Sequence, residues 1–329
     1  MKVSTRRNDI DSRGRLSRLP VRRDIAAALY TGLIPRWRSV AEKVVESAIP
    51  IVGVQLDPKR DIALVTGGAG GLGQEIVREL RRRQIVTVIL DVVPPPDLES
   101  LTGVHFYACD ISLPGRIRVI HEKIIQDVGH VTILINNAAI TSDLPLDRVD
   151  NEKIEQIIRV NLLGPYTLIR EFLPSMIAID RGYIVNIASV LGFVTPARLT
   201  AYGASKGGLI ALHESLVDEL EQYTWKDSSN PGYVPLLKSR GVIRSLLVCP
   251  GKITTKMFDN ARSPSKIIAP DLDPQYLAKQ IVKAMEYNRS GTLKLPYYTN
   301  MMCYFKSLNW PWFRLFRLTA GVDAIIAAK

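Results

Sequence analysis

The run Ile62 to Val65 passes directly into Thr66-Gly67-Gly68-Ala69-Gly70-Gly71-Leu72-Gly73, and a helical pattern from Gln74 to Arg83 follows at once. Few folds accommodate that order. A strand-to-helix turn stripped of side chains lets the backbone approach a pyrophosphate, and the helix N-terminus adds free N–H groups and a partial positive charge. Thr66, Gly67, Gly71, Leu72 and Gly73 are therefore candidate cofactor-binding residues. A glycine-rich turn alone would be weak; the strand before it and the helix after it give it meaning.

Beyond this turn, short β-branched runs alternate with helix-length stretches, the pattern of βαβ units around a parallel sheet. Strands are expected at Ile62 to Val65, Val86 to Leu90, His105 to Ala108, Thr132 to Ile135, Tyr183 to Ile187, Ile243 to Val248 and Thr292 to Leu295. Most are continuous apolar runs, as strands buried on both faces require. Helices are expected over segments such as Gln74 to Arg83, Asn151 to Ile177 and Ala204 to Gln222. The fold class is thus α/β: a doubly wound, seven-stranded parallel sheet of Rossmann type spanning residues 59 to 296. An N-terminal extension, 1 to 58, and a C-terminal extension, 297 to 329, flank it.

The second strand ends at Asp91, about 20 residues past the turn, where dinucleotide sites place a carboxylate on the ribose hydroxyls. Such a carboxylate repels a 2′-phosphate. The turn contains no Lys or Arg and Val92 follows Asp91, so the cations that a 2′-phosphate needs are missing. NAD is expected as cofactor, with NADP less favoured. Asp110, after the third strand, is a candidate for the adenine edge or an ordinary strand-end cap.

Tyr202 and Lys206 stand four apart at the start of a helical pattern and so share one face. A phenol titrates near ~10 and is a poor base at neutral pH. A neighbouring ammonium and a cationic nicotinamide ring each favour the phenolate, which would let Tyr202 exchange a proton with an alcohol or carbonyl oxygen. Lys206 is long enough to hold the nicotinamide ribose as well. Ser189 follows the strand Tyr183 to Ile187, at the strand end where such sheets place ligands, and is expected to orient the substrate oxygen. Asn161, a polar amide in an apolar helical stretch, needs buried partners. It either anchors a water that leads protons from Lys206 to solvent or makes a structural bond within a helix pair. His213 is read as a helix-face residue.

Charge is unevenly spread over the 329 residues, whose formal net charge is +11. Residues 1 to 60 carry 13 Lys/Arg against 6 Asp/Glu, residues 61 to 261 carry 20 against 22, and residues 262 to 329 carry 10 against 4. Basic ends on a near-neutral body suit an anionic surface. No recognition motif accompanies the charge, so nucleic acid is not expected. Residues 25 to 54 are a candidate membrane-interacting segment, but Arg36, Arg38, Glu42, Lys43 and Glu46 interrupt their apolar character, favouring a segment that lies on a bilayer. The C-terminal extension interleaves Tyr297, Tyr298, Tyr304, Phe305, Trp310, Trp312, Phe313 and Phe316 with Lys306, Arg314 and Arg317. Either it meets a membrane interface or it packs over the protein's own site, and an aromatic lid touching lipid satisfies both. Cys109, Cys249 and Cys303 form no CxxC pair, so no metal site or disulfide scaffold is expected.

Taken in order, these residues resemble the short-chain dehydrogenase/reductase family over residues 60 to 297. The resemblance is carried by Thr66 to Gly73, Asp91, Asp110, Asn136-Asn137-Ala138-Ala139, Asn161, Ser189, Tyr202-x-x-x-Lys206, and Pro250-Gly251 with Thr255. It implies that Asn161, Ser189, Tyr202 and Lys206 are the catalytic tetrad. It also implies that Asn136 supports the sheet, that Asn137, Pro250 and Gly251 lie at the cofactor, and that Ile253 and Thr255 approach the nicotinamide amide. Ala139 stands where the family usually has glycine, which a negative φ tolerates.

The segments Tyr202 to Leu220, Val248 to Pro250 and Thr255 to Phe258 look like the branch of retinol and 17β-hydroxysteroid dehydrogenases of the endoplasmic reticulum and lipid droplets. That resemblance implies a lipophilic alcohol as substrate, a membrane or lipid-droplet surface as partner, and a homodimer. A mitochondrial location is the alternative, because the Arg-rich start is loosely similar to a transit peptide. A catalytically silent lipid-surface scaffold and a soluble 3-oxoacyl or carbonyl reductase remain competing readings of the function.

Overall fold

The structure, a computed structural model, describes residues 56–225, 243–258 and 269–319. The N-terminal extension up to residue 55, with its membrane-interacting candidate at 25 to 54, lies outside the described residues. So does most of the connection between Tyr223 and Ser239.

Seven strands form one sheet: β1 (Ile62–Thr66), β2 (Val86–Asp91), β3 (Val104–Ala108), β4 (Ile133–Asn136), β5 (Gly182–Ile187), β6 (Ile243–Pro250) and β7 (Gly291–Leu295). Their spatial order is β3-β2-β1-β4-β5-β6-β7, and every neighbouring pair is parallel. This is the expected doubly wound sheet. Its order reverses between β1 and β4, so a crevice opens there at the carboxyl ends of the strands. The helices are α1 (Gly71–Arg82), α2 (Pro114–Asp127), α3 (Asn151–Ile158), α4 (Gly164–Ala178), α5 (Thr200–Trp225), α6 (Pro274–Glu286), α7 (Thr299–Lys306) and α8 (Trp312–Thr319).

Alternation along the buried strands sends side chains into two cores. Leu64, Leu134, Ile184 and Leu247 pack with Leu168 and Phe172 of α4 and Leu209 and Leu216 of α5. Ala63, Val65, Ile135 and Val185 face the other way, onto Ile76 and Leu80 of α1 and Leu277 and Ile281 of α6. Both faces being covered, the strands read as unbroken apolar runs.

Two expectations need correction. α1 begins at Gly71 rather than after the loop, because the last glycines of the turn already form its first turn. The single helix expected from Asn151 to Ile177 is two helices joined by a five-residue π turn, Arg159–Leu163. Pro165 has no N–H to offer the carbonyl four residues back, so the regular ladder fails at Asn161 and the turn widens. The Gly164 N–H then reaches the Arg159 carbonyl.

At the amino ends of β1, β4 and β5, Asp61 and Arg181 form a buried, two-pronged ion pair. Arg181 Nε donates to Asp61 Oδ1 and Nη2 to Oδ2, both at 2.6 Å. Asp61 also accepts from Thr132 Oγ1 at 2.8 Å and from the Asp57 N–H at 2.8 Å. One carboxylate thus gathers the starts of the three central strands.

Candidate active site

The phosphate cradle is built by the ends of β1 and β4 holding each other. Thr66 Oγ1 accepts the N–H groups of Asn137 and Ala138, each at 3.0 Å. Asn137 Nδ2 returns bonds to the carbonyls of Thr66, 2.9 Å, and Gly67, 3.2 Å. Two glycines make this closeness feasible. Gly67 has φ +64°, and a methyl group on Gly73 would lie 2.0 Å from the Gly67 carbonyl oxygen. The crest at Gly70 and Gly71 is exposed, while Leu72 is buried and anchors the turn.

α1 starts with no side-chain cap and no acidic residue in its first turn. Its leading N–H groups therefore face an anion without competition, and the cradle fits a pyrophosphate. Beside it, Asp91 Oδ2 accepts from the Ala69 N–H at 2.9 Å and Oδ1 from the Val92 N–H at 2.7 Å. The carboxylate at the end of β2 is thereby fixed against the glycine turn. Asp110 Oδ1 accepts from the Ser112 N–H at 2.9 Å.

The proton-handling cluster sits past β5. Tyr202 is 5% exposed and Lys206 2%. Lys206 Nζ lies 5.8 Å from the Tyr202 ring centroid and donates to the Ile187 carbonyl at 2.7 Å. Ser189 Oγ caps the following turn through the Leu191 N–H at 3.1 Å, and its hydroxyl acts on the Tyr202 phenol in the lowering direction. Burial pushes that phenol up to about 12, against the opposing pull of Ser189. Desolvation of the phenolate sets that direction, and burial also drives the Lys206 ammonium down to about 8. The protein by itself therefore holds the proton on Tyr202.

Asn161 makes a structural clamp. Its Oδ1 accepts from the Ile140 N–H at 2.8 Å, and its Nδ2 donates to the Ile140 carbonyl at 2.9 Å and to Ser205 Oγ at 3.0 Å. Ser205 in turn donates to the Tyr202 carbonyl at 2.7 Å. Asn161 thus locks the first turn of α5 to the chain leaving β4. Sequence reasoning missed Ser205, although a hydroxyl three residues past Tyr202 was a readable signal. Ala139 is not among the positive-φ residues, so its side chain causes no strain.

Asn136 pairs in register with Asn186 and donates to its Oδ1 at 2.8 Å. Asn186 Nδ2 lies 3.1 Å from His213 Nδ1. His213 is 3% exposed and desolvation pushes it down to about 4, so it is neutral at physiological pH and serves as a buried acceptor.

The segment after β6 bridges cradle and cluster. β6 ends at Pro250, the Gly251 N–H donates to the Leu295 carbonyl at 2.7 Å, and Ile253 pairs with Leu272. Thr255 Cγ2 lies 3.5 Å from where a methyl group on Gly71 would stand. Three residues on, Phe258 meets the Tyr202 ring edge-on at 5.6 Å. Sequence reasoning gave Phe258 no role, since only the fold brings it to the phenol. Among the described residues no cluster of His, Cys, Asp or Glu could hold a metal ion.

Lys206 yields a pH prediction. Its folded value, about 8, lies below the ordinary 10.5, so between those pH values the folded state binds fewer protons than the unfolded chain. Stability conferred through this group must rise with pH across that window. Urea unfolding of the wild type and Lys206→Met, at a series of pH values, should show their stability difference shifting toward the wild type by about 3 kcal/mol over that span. A pH-independent difference would mean that the amine is not desolvated as the structure has it.

A glycine cradle at the switch point of a parallel sheet, with a buried Tyr/Lys pair beside it, defines a dinucleotide-dependent oxidoreductase. Residues 61–266 match the family model for short chain dehydrogenase. The chain belongs to the short-chain dehydrogenase/reductase family and is an oxidoreductase of the kind that acts on CH–OH donors. It is 38% identical over 284 residues to "Uncharacterized oxidoreductase YDL114W" of Saccharomyces cerevisiae, covering 86% of this chain and 89% of that one. It is 30% identical to human retinol dehydrogenase 10 over 258 residues, 68% of this chain and 71% of the relative. A metagenomic short-chain oxidoreductase solved in complex with NADP aligns with TM-score 0.56 at 26% identity, over 71% of this chain and 95% of that one. The family's fold binds a nicotinamide dinucleotide.

Proposed function

We propose that this protein is an NAD(H)-dependent dehydrogenase that interconverts a lipophilic alcohol, of retinoid, steroid or long-chain lipid class, with its carbonyl at a membrane or lipid-droplet surface. The observation that carries the cofactor reading is Asp91, held by the Ala69 N–H against the glycine turn, where its negative charge opposes a 2′-phosphate. The likeness to retinol dehydrogenase 10 supports the substrate class. The exposed aromatic side chains of the C-terminal helices support a lipid surface.

The residues divide the work as follows. Gly67, Gly71, Leu72 and Gly73 would hold the pyrophosphate, with Thr66 and Asn137 bracing the turn, and Asp91 would take the adenosine ribose. Thr255, Ile253, Gly251 and Pro250 would line the nicotinamide end. When bound, the nicotinamide ring supplies the hydride donor or acceptor. Tyr202 gives its phenolic proton to a carbonyl oxygen, or takes one from an alcohol. Ser189 orients that oxygen. Lys206 contributes positive charge near the phenol, and Asn161 keeps the α5 turn that carries both in place.

Purified protein assayed with retinols, steroids and long-chain alcohols, using NAD and NADP in parallel, tests this reading. We expect absorbance growth at the NADH band, and a kcat/KM ratio favouring NAD by on the order of tenfold or more, narrowed by Asp91→Ser. Equal use of the two cofactors by the wild type would overturn the cofactor assignment. Turnover confined to small polar carbonyls would overturn the substrate class.

A further inference from the structure

We propose that α7 and α8 form an interfacial dock for an anionic bilayer, coupled to the mouth of the active site. This rests on the reading of the enzyme as one that takes a lipophilic alcohol. The two helices are satisfied on one side: Phe305 of α7 and Phe316 of α8 stack at 3.9 Å with their planes 8° apart. Phe313 and Arg317 lie on the same side of α8 as Phe316 and are partly buried with it.

The opposite side is the anomaly. On α8, Trp312, Leu315 and Leu318 recur every three residues and are 64%, 50% and 67% exposed. In the turn before it, Trp310 is 74% exposed, and Tyr304 of α7 is 69% exposed. A water-facing helix carries polar residues on its outer face; this one carries an apolar stripe.

Charge identifies the occupant. From Tyr287 to Thr319 the chain has five Lys/Arg and no Asp/Glu. Lys306 and Arg314 are exposed among the apolar side chains. Indole rings flanked by cations, without a single carboxylate, match the headgroup layer of an anionic membrane, where rings sit at the acyl boundary and cations meet phosphate. No helix among the described residues is long and apolar enough to cross a membrane, so the dock lies on the surface.

The dock is tied to the site. Arg317 Nη1 of α8 donates to the Thr195 carbonyl at 3.0 Å. Thr195 belongs to the segment between Ser189 and the start of α5 at Thr200. Docking through α7 and α8 therefore holds that segment beside the lipid, so that a substrate dissolved in the bilayer enters without crossing water.

The test uses the full chain with phosphatidylcholine vesicles, with and without phosphatidylserine, and with brominated acyl chains as a quencher. Wild-type tryptophan fluorescence should be quenched on phosphatidylserine vesicles, and the quenching should be largely lost in Trp310→Phe/Trp312→Phe. The chain's other tryptophans are Trp37 and Trp225. Partitioning by co-sedimentation should fall by roughly tenfold or more in Trp310→Ala/Trp312→Ala. Lys306→Glu and Arg314→Glu should each weaken phosphatidylserine-dependent binding by at least about fivefold.

All these variants should retain wild-type turnover of a short, water-soluble alcohol, which shows that they fold. Partitioning and quenching unchanged by the tryptophan substitutions would overturn the proposal. So would a lipid-free dimer that dissociates in Trp310→Ala/Trp312→Ala, since a second copy would then own the patch. Vesicle docking without turnover of any lipophilic alcohol would instead leave the dock standing and remove the proposed substrate.

Discussion

Tyr202→Phe is expected to lower kcat/KM for alcohol oxidation by about 10²- to 10⁴-fold, with a melting temperature within a few degrees of the wild type. The two effects separate because the ring and the hydroxyl have different jobs. The ring is buried and packs edge-on against Phe258, and phenylalanine reproduces that contact. The hydroxyl is the group on which the Ser189 side chain acts, and it carries the exchangeable proton. Losing one hydrogen bond typically costs about 1 kcal/mol, which moves the melting temperature of a domain this size by about 2–4 °C. Burial holds the phenol near 12, so the protein alone presents a proton donor, suited to carbonyl reduction. Oxidation requires additional positive charge near the ring to release that proton. A variant that keeps more than a tenth of the wild-type rate would show that another group moves the proton.

Asp61→Ala is expected to destabilise the fold by about 3–5 kcal/mol, the largest stability loss anticipated for any single substitution here. Attraction across a buried pair barely exceeds the cost of drying both charges, but removing one partner leaves the other charged in a dry place. Arg181 and Asp61 are 6% and 4% exposed, so water cannot take over. The Thr132 hydroxyl and the Asp57 N–H lose their acceptor as well. Urea unfolding should register the loss directly. A double variant, Asp61→Leu/Arg181→Met, should recover much of it, because both charges leave the dry site together. A loss below about 1 kcal/mol in the single variant would mean that solvent reaches the pair.

Much of this architecture is readable along the chain, for a physical reason. Strands buried on both faces must be apolar throughout, so β1, β2, β4, β5 and β6 announce themselves. The glycine turn does too, because a methyl group at Gly73 has nowhere to go. Tyr202 and Lys206 were legible because a helix turn places them together. What escaped were relations between distant residues. Asp61 and Arg181 lie 120 positions apart, and nothing local to either marks the partner. His213 looked like an ordinary helix-face residue, yet its side is the inner one, where Asn186 waits. The π turn was legible in principle from Pro165, but the apolar period runs through it undisturbed.

The Asp61 and Arg181 clasp lies at the opposite ends of the strands from Ser189, Asn137 and Asp91. Cohesion and chemistry therefore occupy separate addresses on the same β-strands. Lineages can remodel the rim for a new alcohol while the base keeps the scaffold intact, which gives a physical basis for one architecture serving many substrates.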